Sequence, residues 1–144
     1  MVCTFFGHGD TSKEIEPTLR STLIDLIENK NIDLFYVGNH GNFDRMVKSI
    51  VKDLKGIYPH IDYAVVIAYT PTNNEDSKNT VYPEEAELAP RRFAICRCNE
   101  WMINKADVVV TYVKYSFGGA VKYKELAERK GKKVINIADI ENQK

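Results

Sequence analysis

Ala106 to Ile137 reads ADVVVTYVKYSFGGAVKYKELAERKGKKVINI, and its punctuation decides the fold. Val108 to Val113 is largely β-branched and apolar, with Asp107 before it and Lys114 after it, as in a buried parallel strand. Gly118-Gly119 breaks that pattern. Val121, Leu126 and Ala127 then give a short amphipathic helix, and Gly131 stands where a C′ glycine ends one. Val134, Ile135 and Ile137 predict the next strand. A strand that runs through a glycine pair into a helix leaves free backbone N–H groups at a positive helix terminus, a place suited to an anion such as a phosphate.

Outward from this stretch the same alternation repeats. Val2 to Phe6 predicts a first strand ending at Gly7-His8-Gly9-Asp10, with Thr11 or Ser12 able to cap the helix that carries Leu19, Leu23, Leu26 and Ile27. Leu34 to Val37 predicts a second strand, cut off by the turn from Gly38 to Asp44. Phe43, Met46, Val47, Ile50, Val51 and Leu54 share one face of the helix that follows. Ile61 to Tyr69 predicts a third strand, and Pro71 to Lys78 a loop. Pro83 to Arg92 is charged and irregular, and Phe93 to Lys105 predicts a helix. Five strands alternating with helices imply an α/β, Rossmann-like, doubly wound sheet, mainly parallel and covered on both faces. Ligands of such sheets sit beyond the carboxyl ends of the strands, where all three glycine turns fall.

The 144 residues suit one domain with a real core. Lys+Arg and Asp+Glu are both 20, so the formal net charge is zero and a general electrostatic grip on nucleic acid or anionic membrane is disfavoured. No apolar run has the length of a membrane span, and no secretory leader is recognisable, so a cytoplasmic location is expected. Cys3, Cys96 and Cys98 are read as reduced structural thiols.

None of the turns fits a GxGxxG or Walker A pattern, and no metal-ligand spacing is present, so neither a cofactor nor a metal is expected. Gly118-Gly119 is either an anion site or a plain tight turn. Ser116 either donates to the same anion or caps the helix. His8 and His40 flank turn glycines and are either structural or acid–base groups. Asp44 either stabilises a helix dipole or holds a ribose hydroxyl or base edge. Arg91-Arg92 is either a solvated pair or a phosphate fork. Trp101 and Met102 read as core. Tyr112 and Tyr115 either pack or stack on a base, and Glu125 is either a surface residue or a general base.

The constellation resembles the SLOG superfamily, the Rossmann-like group that includes the DNA-processing protein A core, the LOG phosphoribohydrolases, the YpsA-like proteins and nucleotide-sensing domains of bacterial and phage immunity. Phe5-Phe6-Gly7-His8 is similar to its "TGHR" strand end, and Gly38 to Asp44 to its "GGARGxD" turn. Arg92, Ala94-Ile95, Asn99, Trp101-Met102 and Ala106-Asp107 resemble the stretch before its last ligand-binding strand. Phe117-Gly118-Gly119 followed by Glu125 resembles the LOG segment "PGGxGTxxE". Gly9 and Cys98 stand where relatives often carry arginine, with Arg97 one place before Cys98, and Val121-Lys122 replaces the LOG "GT".

The resemblance implies one nucleotide-binding domain over residues 1–144. Gly7, His8, Gly38, Gly41, Asp44, Arg92, Ser116, Gly118 and Gly119 would bind the ligand. That ligand would be a nucleotide or a nucleotide-derived signal, held by a sensor or a sponge. If the chain is an enzyme, the expected reaction is release of base and ribose 5-phosphate from a nucleoside 5′-monophosphate, with Glu125 and Arg97 as the catalytic pair. Single-stranded DNA binding is the third expectation. A homodimer or higher homo-oligomer is expected, through Phe43, Met46 or Phe93.

Overall fold

A computed structural model describes residues 1–67, 80–81, 83–84 and 93–142. The described residues form one six-stranded, all-parallel sheet in the order β4-β3-β2-β1-β5-β6. Its strands are β1 (Val2–Gly7), β2 (Leu34–Val37), β3 (Asp62–Val66), β4 (Thr80–Val81), β5 (Val108–Tyr112) and β6 (Lys133–Asn136). The helices are α1 (Glu16–Asn29, preceded by a 3-10 turn over Lys13–Ile15), α2 (Gly41–Ile57), α3 (Ala94–Lys105), α4 (Gly119–Arg129) and α5 (Ile137–Glu141). No described helix is long and apolar enough to cross a membrane.

The period-two alternation of the strands sorts the core into two layers. Cys3 and Phe5 of β1, Phe35 and Val37 of β2, and Val108 and Val110 of β5 face α1, α2 and α5. Phe6, Val66 and Val109 face α3 and α4. Phe5 and Phe35 stack at 5.9 Å between centroids, and both are fully buried, each worth about 1.5–3 kcal/mol of apolar burial. The chain steps outward from β1 to β4, then returns to the other flank of β1 as β5 and β6. The crevice between the carboxyl ends of β1 and β5 is therefore the topological switch point.

Two features differ from the sequence reading. Ile137 does not extend the last strand: it begins α5 and is fully buried against the α1 layer. The cause is Asn136, whose side chain accepts from Ala138 N–H at 3.4 Å and so starts a helix. The same side chain is held in place by both backbone polar groups of Val113, at 2.9 and 3.0 Å. The second difference is β4, a two-residue edge strand that carries no periodicity to read. Tyr69, the loop from Pro71 to Lys78, and the pair Arg91-Arg92 lie outside the described residues.

Candidate functional site

The turns after β1 and β2 are clasped together. Asn42 N–H donates to Gly9 O at 2.9 Å, and a Cβ on Gly41 would come within 2.8 Å of Gly9 Cα. Gly41 also has a φ of 86°, in the left-handed region that favours glycine. A Cβ on Gly7 would come within 2.2 Å of Phe43 Cγ, and one on Gly38 would come within 2.6 Å of Asp44 Oδ2. These glycines are required first by the packing of the clasp.

Beside the clasp, at the switch point, opens a cavity of about 720 Å³. Its floor is Phe5, Phe6 and Gly7 of β1. Gly9, Asp10, His40, Gly41 and Asp44 form one wall. Ile95, Asn99 and Met102 of α3 form a second. Tyr115, Phe117, Gly118 and the start of α4 form the third. Gly118, with φ 104° and ψ 173°, is the N-cap of α4, and no side chain caps that helix. The volume lies in the range of small-molecule sites.

Three titratable groups lining the cavity are displaced from their ordinary behaviour. Burial pushes the Asp44 carboxyl up to about 6, and its hydrogen bond from His40 N–H, 3.0 Å, only partly offsets that. Burial lowers the His8 imidazole from its ordinary 6.5. His8 Nε2 accepts Lys114 N–H at 3.2 Å, which ties the turn after β1 to the one after β5 and requires the neutral ring with its proton on Nδ1. Burial, and then a hydrogen bond with Cys96, push Tyr123 up to about 12, while its ring stacks on Phe6 at 5.3 Å. A displaced carboxyl in a cleft marks a functional site more often than a surface one does.

Among the expected site residues, Gly7, His8, Gly41, Asp44, Gly118 and Gly119 come together around this cavity. Gly38 backs Asp44 from a separate small recess. Ser116 neither lines the cavity nor caps α4. Arg92 lies outside the described residues. Arg97 is exposed and paired with Glu100 at 3.1 Å. Glu125 is exposed; it follows Tyr123, which lines the cavity, by two residues, or about 200° around the helix. The expected catalytic pair is thus not brought to the cavity. Of the side chains expected at a dimer contact, Phe43 and Met46 are buried in the core, and Phe93 is 45% exposed.

Sequence reasoning missed Phe117, Tyr123 and Asp10 as cavity residues. Tyr123 was legible, because it lies four residues after Gly119 and so on the same helix face as that terminus. Compared with protein-family models and with curated proteins, the sequence matches none.

Proposed function

We propose that this chain binds a nucleotide or a nucleotide-derived ligand in the cavity at the β1/β5 switch point. The observation that carries the reading is convergence: Gly41 and Gly118-Gly119, from separate turns, border one cavity into which the uncapped terminus of α4 opens. Backbone amides there suit a phosphate. Asp44 and Asn99 offer polar atoms for a ribose hydroxyl or a base edge. The exposed positions of Glu125 and Arg97 favour binding over glycosidic hydrolysis, and the zero net charge disfavours a DNA-binding role. Self-association belongs to the same proposal, supported by the exposed apolar side chains of Phe93 and Ile95, the second of which lines the cavity.

Mass spectrometry of small molecules released by denaturing the purified protein tests the reading, together with a base-release assay on nucleoside 5′-monophosphates. The expected outcome is a nucleobase-containing compound without turnover. Base release abolished by Glu125→Ala would instead establish the hydrolase. Release of only non-nucleotide compounds would remove the nucleotide reading.

A further inference from the structure

Phe117 is 71% exposed, the highest value of any large apolar side chain among the described residues. Burial does not hold it. Its ring lies parallel to that of Tyr115, within 15° and at 5.4 Å between centroids. Tyr115 in turn leans on His8 at 4.6 Å, with Lys114 Nζ 5.3 Å from the tyrosine ring. His8 itself is buried and fixed by Lys114 N–H. The result is a ladder of three rings, anchored at its foot by a hydrogen bond and open at its top rung. That rung lines the cavity and is followed directly by Gly118, the N-cap of α4.

From this geometry we infer that Tyr115 and Phe117 form a stacking platform for a flat heteroaromatic ring, so that the ligand is recognised chiefly by its base. The inference rests on the nucleotide-binding reading above and adds the part of the ligand that confers affinity. A ring laid on the ladder removes apolar surface from water on both partners and gains the offset-stacked geometry that aromatic pairs prefer. The adjacent turn and helix terminus then face whatever the ring carries: a sugar, or a phosphate at the amides.

The test uses 2-aminopurine riboside 5′-monophosphate, whose fluorescence is quenched when its ring stacks. The wild type is expected to bind and quench it. Phe117→Ala should weaken binding by about tenfold and lose most of the quenching, in keeping with the usual contribution of one base–aromatic stack. Phe117→Trp should retain affinity, and Phe117→Leu, which keeps apolar bulk without a flat ring, should behave like the alanine variant. Ribose 5-phosphate should displace the probe at least about tenfold less well than adenosine 5′-monophosphate does. Because Phe117 is exposed, these variants should fold, and circular dichroism checks it. Unchanged affinity and quenching in Phe117→Ala would overturn the platform and leave the cavity reading intact, as would ribose 5-phosphate competing equally well. Failure of the wild type to bind the probe at millimolar concentration would overturn both.

Discussion

At the residue scale, Asp44 couples stability to the site. Its carboxyl ordinarily titrates at 3.8 and here near 6, so between those values the unfolded chain gives up the proton first. The contribution of Asp44 to stability therefore falls as pH rises through that window and is flat above it. Asp44→Asn keeps an acceptor for His40 N–H without the buried charge. It should raise stability at pH 7 by about 1–3 kcal/mol and remove the Asp44 contribution to the slope between about pH 4 and 6 in urea unfolding. An Asp44→Asn variant less stable than the wild type at neutral pH would show that the charge is favourably held. A position kept ionised against its solvation cost is what a ligand-reading carboxylate requires. Gly38 belongs to the same arrangement, because a Cβ there would strike Asp44 Oδ2.

At the scale of elements, the turns decide how much of the site the sequence reveals. Gly7, Gly41 and Gly118 stand out because each falls in a turn that follows an apolar run, and all three border the cavity. The reason for glycine differs from one to the next, which sequence alone does not display. Gly7 makes room for Phe43, Gly41 for Gly9, and Gly118 adopts a φ of 104° with open space around it. Gly7→Ala should thus cost about 1–3 kcal/mol by overpacking, measured by chemical denaturation. A neutral effect would mean that Phe43 repacks freely. Glu125 lies away from the cavity because a motif fixes spacing along the chain, whereas the direction a side chain takes depends on helix phase. Ile137 misled because an apolar residue after a strand looks like more strand, when the capping side chain of Asn136 had already ended it.

At the scale of the whole molecule, the alternation of buried strands with amphipathic helices made the parallel sheet legible. The central strands are buried on both faces and read as continuous apolar runs; β5, for example, is buried at every position. Strand order follows from the long return between β4 and β5, which no local pattern encodes, and the two-residue edge strand is too short to leave one. That return creates the switch point, and with it the meeting of turns distant in sequence. The central claim is that these turns hold a nucleotide together. The most direct measurement is an amide-resolved NMR titration of the wild type with adenosine 5′-monophosphate. The expected result is saturable shifts concentrated at Gly7 to Asp10, His40-Gly41 and Tyr115 to Ala120, rising and levelling together. Shifts confined to a surface remote from these three turns, or none at millimolar nucleotide, would contradict it.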